Sequence, residues 1–461
     1  MIEFICVEQI RRKEGNIIPI EDFIISLFNL KSEQIENIEI LKKRDTIEYY
    51  ITLIKKEHYC ELCGGKAISH GKHIKKIKHS ALNGFKGIIY WKARRYKCKE
   101  CGSTFTERNP FAFPGFNVSL FDLQNIMKDL KNLNNTYTDI AKRYNISVTQ
   151  VMRYLDSNIN TPRIKLPENI GIDEIHSSMS KYGGSYLCVM VDNDSRSVFE
   201  ILPNRCKRYL NNYFDSIPQY EKDTVKYVTI DMWLPYKEVA ERHFKNCKVS
   251  VDSFHVIKNL MFCFSKKRVN IMNQLDYHSN GYYLLKHWHK LIELNNINLD
   301  NEMQYNHKFG RKVNKRNLYN MILDISENLT CAYELKELYR KFNKESTSND
   351  CEVMFEIVLE AFVEADIPEY QDFTNMIRTW KNEILNSFDR SYNNRRQSNA
   401  LAENMNGKIR AHLAITHGNV NFNRFRKRII YSLNDKIYYS LTKNLKSAKI
   451  NKPERGTYKK K

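Results

Sequence analysis

Three acidic residues stand where a metal-dependent phosphodiester reaction would need them: Asp173, Asp231 and Glu403. Asp173 closes the apolar stretch N-I-G-I-D, and Asp231 closes V-K-Y-V-T-I-D. Both stretches read as strands that run into a carboxylate where the chain leaves a sheet. Glu403 lies far downstream in S-N-A-L-A-E-N-M-N-G-K-I-R, which reads as a helix. Two divalent metals acting on a phosphodiester need carboxylates gathered from distant segments onto one rigid scaffold. All three donors are hard oxygens, so Mg2+ is the expected ion, two per site, with Mn2+ able to substitute. A strand-end acid taken alone is commonly a turn or cap residue. Asp192 and Asp252 also end strands and compete for the role, and it is the order along the chain that favours the trio.

On the helix of Glu403, Asn399, Glu403, Asn406 and Arg410 recur at i, i+4, i+7 and i+11, a polar stripe. A polar stripe is usually a solvated face. This one carries amides in place of the usual Lys/Glu mixture, so Asn399, Asn406 and Arg410 read as DNA contacts around the acid. His255, in Asp252-Ser-Phe-His255, reads as a group behind the metal ligands or a DNA contact, with a buried structural histidine weighing equally. A second metal pattern lies upstream. Cys60-x-x-Cys63-Gly and Cys98-x-x-Cys101-Gly can present four thiolates tetrahedrally, the closed arrangement of a structural zinc. The glycine after each pair permits the tight turn that aims backbone N–H groups at sulfur. A redox pair is disfavoured, because no thioredoxin-like context surrounds either motif.

These groups must be positioned by elements. Between the cysteine pairs, Ile88-Ile89-Tyr90-Trp91 and Arg94-Arg95-Tyr96 read as basic ribbon strands, with Arg94 and Arg95 facing DNA. Thr136 with Asp139, and Ser147 with Gln150, are two capping patterns opening two short helices. Ala141 suits a close helix crossing, and Asn145 a left-handed turn. That arrangement is a helix-turn-helix with Thr149, Gln150 and Arg153 outward to read DNA. From about 168 the order reads β-β-β-α-β-α-β, that of an α/β RNase H-like core. The expected fold is therefore multidomain: an N-terminal segment of unknown role (1–56), a zinc ribbon (57–108), a helix-turn-helix (118–157), the first part of the core (168–255), a helical insertion (256–385), the final catalytic helix (386–435) and a basic tail (436–461).

The chain has 461 residues and a formal net charge of +21, an excess that suits a polyanion. Lys266, Lys267, Arg268, Arg424, Arg426, Lys427 and Arg428 are expected to hold phosphates. Acids interrupt the short apolar start, so it does not read as a signal peptide, and no apolar run approaches the roughly 20 residues of a membrane span. A cytosolic, nucleoid-associated protein with no membrane partner is expected.

Taken together, C-x-x-C-G with R-R-Y-K-C-x-x-C-G-x-x-F-T-E, G-I-D-E-I-H, T-I-D-M-W-L-P-Y, V-D-S-F-H-V-I-K, S-N-A-L-A-E-N-M-N-G-K-I and E-L-K-E-L-Y resemble the DDE transposases of the ISL-three family of bacterial insertion sequences. The resemblance runs from about 57 to 435. It departs from the family at Asn404, where glycine is common. It implies catalytic acids at Asp173, Asp231 and Glu403 and structural zinc on Cys60, Cys63, Cys98 and Cys101. It further implies binding of terminal inverted repeats, strand cleavage, transfer to target double-stranded DNA, and a homodimer or higher oligomer on DNA. Two other readings use the same parts: a catalytically inactive zinc-ribbon/helix-turn-helix regulator, and an RNase H-like structure-selective nuclease.

Overall fold

The computed structural model describes residues 28, 30–80, 85–179, 184–390, 394–416 and 421–441. The terminal Lys459-Lys460-Lys461 and the start of the chain lie outside the described residues. The chain divides into two compact units, residues 1–160 with 436–461, and residues 161–435.

The first unit is built on one sheet. Its strands are β1 (Ile35–Lys42), β2 (Thr46–Leu53), β3 (Ala67–Ser80), β4 (Lys86–Cys98) and β5 (Thr104–Thr106). They are ordered β1-β2-β4-β3, with β5 added to β4. Alternate side chains of β4, among them Ile89, Trp91 and Ala93, point into a core closed by Tyr49, Ile51, Ile77 and Phe111, as the two-residue period of a strand requires. The segment before residue 57, read from the sequence as a segment of unknown role, supplies β1 and β2. β2 runs parallel to β4 from Thr46↔Lys86 to Ile51↔Trp91. The reason is burial: the apolar side of β4 needs a cover that the ribbon alone does not provide. Three helices follow, α1 (Leu120–Lys131), α2 (Tyr137–Arg143) and α3 (Val148–Asn158). Thr136 and Asp139 form a reciprocal capping box on α2, whereas Ser147 caps α3 by accepting from Gln150 N–H. Between them Asn145 takes φ 51°, and Ala141, Ile146 and Val151 are buried.

The second unit holds β6 (Asn169–His176), β7 (Tyr186–Asp192), β8 (Ser197–Leu202), β9 (Tyr227–Ile230) and β10 (Lys248–Val251), ordered β10-β9-β6-β7-β8. β6 is central, antiparallel to β7 and parallel to β9. Its near-continuous burial follows from having both faces covered. Helices α4 (Lys207–Asp215), α5 (Gln219–Lys222) and α6 (Leu234–His243) connect the strands. The stretch expected as a helical insertion, 256–385, is covered by α7 (Ser253–Gln274), α8 (Asn280–His287), α9 (Lys290–Glu293), α10 (Lys315–Leu323), α11 (Glu327–Glu345), α12 (Cys351–Ala365), α13 (Gln371–Thr379) and α14 (Lys381–Asn386). It also carries a small hairpin that the sequence reading did not contain, β11 (Gln304–Asn306) with β12 (Arg311–Val313). The insertion shares one core with the sheet, running from Ile170 through Phe264 and Phe355 to Phe388. Asn386 Nδ2 donates to Val249 O on β10 at 2.8 Å. In the E-L-K-E-L-Y stretch, Lys336 is fully buried. It donates to Ile292 O and Glu337, and lies over the Tyr333 ring at 4.2 Å. Helices α15 (Ala400–Ile415) and α16 (Phe422–Leu433) complete the unit. No described helix is long and apolar enough to cross a membrane.

Candidate active site

Cys60, Cys63, Cys98 and Cys101 converge, with ligand atoms all within 4.8 Å of one another. Cys60 and Cys101 sulfurs are 3.6 Å apart, and those of Cys63 and Cys98 3.4 Å. Four sulfurs bound to zinc at about 2.3 Å lie roughly 3.8 Å apart, so the spacing fits the ion. Gly64 and Gly102 take φ 73° and 69°, the turns that the C-x-x-C-Gly spacing predicts. The Ser103 hydroxyl, with the Leu62 and Cys63 N–H groups, draws the Cys60 thiol down to about 6, favouring the thiolate that binds metal.

The acidic site is assembled by α15 lying on β6. Gly171 makes the approach possible, since a Cβ there would meet Asn399 Oδ1 at 2.8 Å and Val191 Cγ2 at 2.7 Å. Asn399 Nδ2 donates to Ile172 O at 2.8 Å, and Asn406 Nδ2 to Asp173 Oδ2 at 2.7 Å. Asp231 follows the last residue of β9. Asp252 follows β10 and caps α7 by accepting from Phe254 N–H. The ligand atoms of Asp252, His255 and Glu403 lie within 4.8 Å of one another, with His255 Nε2 3.5 Å from Glu403 Oε1. Asp173 and Asp231 stand outside that triplet, and the charge of His255 reaches Asp231. Burial pushes the Asp231 carboxyl up to about 6, the charges of Glu174 and Asp173 add to this, and His255 opposes them. Burial, then Asp252 and Asp173, raise Glu403, again against His255. Asp231 Oδ1 and Asp252 Oδ2 are buried without a hydrogen-bond donor. Orphaned carboxylate oxygens beside further acids are what a hard divalent cation would satisfy.

Several expected residues stand differently. Asp173 does not end its strand: β6 continues to His176, paired on β7, while its pairing with β9 stops at Gly171. The carboxylate therefore lies just past the parallel pairing, beside the end of β9. Asn399 and Asn406 are fully buried and fasten α15 to β6, so neither is placed to touch DNA. Arg410 is exposed, and its charge reaches Glu403. Arg94 is buried between Glu36, at 2.6 Å, and Glu107, at 3.6 Å, whereas Arg95 is exposed. On α3, Thr149 and Arg153 are exposed, while Gln150 Nε2 is held by Asn117 Oδ1 and Tyr154 Oη. Arg268 is tied to Glu293, Arg426 is paired through two nitrogens with Glu200, and Arg428 is buried. Charge runs along a sequence do not distinguish such internal ion pairs from a phosphate-facing surface.

Sequence reasoning set Asp252 aside as a competitor; its histidine three residues on was the signal for including it. It missed Glu174 and Arg205 altogether. Arg205 pairs with Glu174 and stacks over Tyr186 at 4.1 Å and over Trp233, two residues after Asp231, at 4.4 Å.

Carboxylates drawn from three strands and a late helix, together with a four-cysteine ribbon, define a DDE-type transposase. Comparisons agree. The family model for ISL-three DDE enzymes, described as a transposase, matches residues 170–429, and the zinc-finger of transposase IS204/IS1001/IS1096/IS1165 matches residues 56–101. The chain belongs to the ISL-three family of DDE transposases. A relative, the transposase for insertion sequence element IS1001 of Bordetella parapertussis, is 24% identical over 264 residues, covering 56% of this chain and 64% of that one. The match thus spans less than two thirds of the relative's length.

Proposed function

We propose that this chain is a DNA transposase that binds the terminal inverted repeats of its own insertion sequence and performs metal-dependent strand cleavage and strand transfer. The observation that carries the reading is the meeting of Asp252, His255 and Glu403, with Asp173 near enough for its charge to act on both Asp231 and Glu403, and with two buried carboxylate oxygens lacking donors. The strand order β10-β9-β6-β7-β8, with a late helix across the central strand, supports an RNase H-like core. When bound, two divalent ions, Mg2+ by the chemistry of the donors, supply activation of the attacking oxygen and neutralise charge on the scissile phosphate.

The chain's own residues do the rest. Asn406 fixes Oδ2 of Asp173, whose Oδ1 accepts from the Glu174 backbone N–H, so the carboxylate is held in one orientation, and Asn399 sets the depth of Glu403 by anchoring the start of α15. His255 sits against Glu403, where a protonated imidazole would offset the crowded negative charge. In the first unit the zinc ribbon and the α2–α3 pair, read as a helix-turn-helix, grip DNA, with Arg95, Thr149 and Arg153 as its exposed contacts. Joining two element ends calls for at least a dimer on DNA. The experiment is Mg2+-dependent nicking and joining on a fragment carrying the native flanks, with Glu403→Gln beside the wild type. Cleavage at a defined flank position, lost in Glu403→Gln while DNA binding persists, is the expected result. Binding without cleavage by the wild type would return the chain to a DNA-binding regulator.

A further inference from the structure

A cavity of about 330 Å3 opens at the start of α15, lined by Arg196, Arg395, Arg396, Gln397, Ser398 and Asn404 among others, and no carboxylate is among the described residues of its wall. Three of its features point to an anion. The first is its charge: the guanidinium groups of Arg196 and Arg396 stand in a wall whose described residues include no carboxylate. Arg396 is immobilised, donating to Ser387 and Asn343 with its guanidinium 3.6 Å from the Phe388 ring centroid, so its charge is a fixed part of the wall. Arg196 is exposed and takes φ 57° in the β7–β8 turn, a left-handed conformation in which asparagine or glycine would be relaxed. The second is the N-terminus of the 16-residue α15, which reaches the cavity through Ala400 and Leu401; Asn399 caps it without a side-chain hydrogen bond. The third is independent of both. Gln397 is only 3% exposed, and its Nε2 has no acceptor. A buried amide donor among cations, left without a partner, is a place prepared for an oxygen that arrives from outside.

We infer that this cavity binds a phosphate group of a DNA strand, with Gln397 Nε2 and the Arg196 guanidinium donating to its oxygens. The inference rests on the transposase reading and adds a place where the strand would be gripped beside the catalytic helix. The same chemistry would take a free phosphate, so the test separates the two sources.

The test uses the zinc-loaded full chain. A labelled duplex of about 30 base pairs is titrated by fluorescence anisotropy, without Mg2+, between about 50 and 200 mM salt. Arg196→Ala removes an exposed charge, whereas Gln397→Met removes the donor without changing charge. Each is expected to weaken binding about tenfold, and Arg196→Ala should also lower the salt slope by about one. Gln397→Met should melt no lower than the wild type, because its lost donor has no partner in the free protein; a structural role would lower the melt. Wild-type affinity and slope in both variants, while the wild type still nicks flank DNA, would overturn the cavity and leave the transposase reading intact. Saturable binding of inorganic phosphate, lost in Gln397→Met with duplex affinity unchanged, would overturn the DNA source. A wild type that neither binds nor nicks DNA would sink both readings. Should Gln397→Met fail to fold, Arg196→Ala beside Arg196→Lys decides, with the lysine expected to recover most of the affinity.

Discussion

The two metal-suited centres of this protein are opposites in construction. The cysteine site is drawn from two short motifs joined by a pair of strands, and all four of its corners are thiols. The acidic site is drawn from four segments spanning 173 to 403, and buried oxygens are left without donors. The first is closed, and metal there adds to folding. The second is open, and burial raises Asp231, Asp252 and Glu403 together, with the charges of neighbouring acids adding to it. A closed thiolate site would stabilise its module through its metal, whereas the acidic site keeps buried carboxylate oxygens without donors at a cost to the fold.

Removing zinc is the strongest way to break the comparison. One zinc per chain is expected, and structural zinc contributes on the order of 10 kcal/mol to small modules of this kind. Chelation, or Cys60→Ser, should therefore unfold the ribbon, read as exposure of the buried Trp91 in fluorescence quenching. An unchanged Trp91 after complete zinc removal would mean that the sheet stands without its metal.

The acidic site should answer in the other way. Glu403→Gln is expected to cut cleavage by at least about 10³-fold, roughly 4 kcal/mol, with a melting temperature equal to or above that of the wild type. A variant that loses activity through a collapsed melt would contradict the contrast. Asp252→Asn sharpens it: a loss as deep as that of Asp231→Asn extends the ligand set to four acids.

Within the first unit, Asp122 carries a stress of its own without metal. It is fully buried and accepts from Ser80 Oγ, and burial pushes its carboxyl up to about 6 from an ordinary 3.8. A raised folded value means that the folded state holds the proton more tightly. Its contribution to stability is full below about 3.8 and is lost as pH rises through about 6. Asp122→Asn should therefore stabilise the unit by at most about 3 kcal/mol at pH 7 and by less at pH 5, measured by chemical denaturation. An equal gain at both would remove titration as the cause.

A smaller effect is expected at Asn406. Its amide holds Asp173, and groups that orient metal ligands typically carry about 10- to 100-fold in activity. Asn406→Ala should lower cleavage by that factor and raise the Mg2+ concentration needed for half-maximal rate. A lower rate at unchanged Mg2+ demand would assign Asn406 to packing alone.

The parts that the sequence disclosed are those whose signals are local. Cysteine spacing, the glycines behind each pair, the Thr136–Asp139 cap and the left-handed Asn145 act within a few residues of chain, where geometry leaves few alternatives. Strand β9 ending at Asp231 belongs with them, because an apolar run stopped by an acid is a one-dimensional pattern. Direction was less legible. Arg94 and Arg95 are neighbours in one basic run, yet a strand turns successive side chains to opposite faces, and packing against Glu36 and Glu107 decided which went inward. Asn399 and Asn406 formed a polar stripe that read as DNA contacts. Only the docking of α15 on β6, at a glycine with no Cβ to obstruct it, turned them into fasteners. The types of residue and their local turns were thus set by the chain itself. Which acids share a site, which arginines face outward and which amide is left waiting for a partner depend on contacts between segments tens to hundreds of residues apart, and burial energy, not spacing, selects among those.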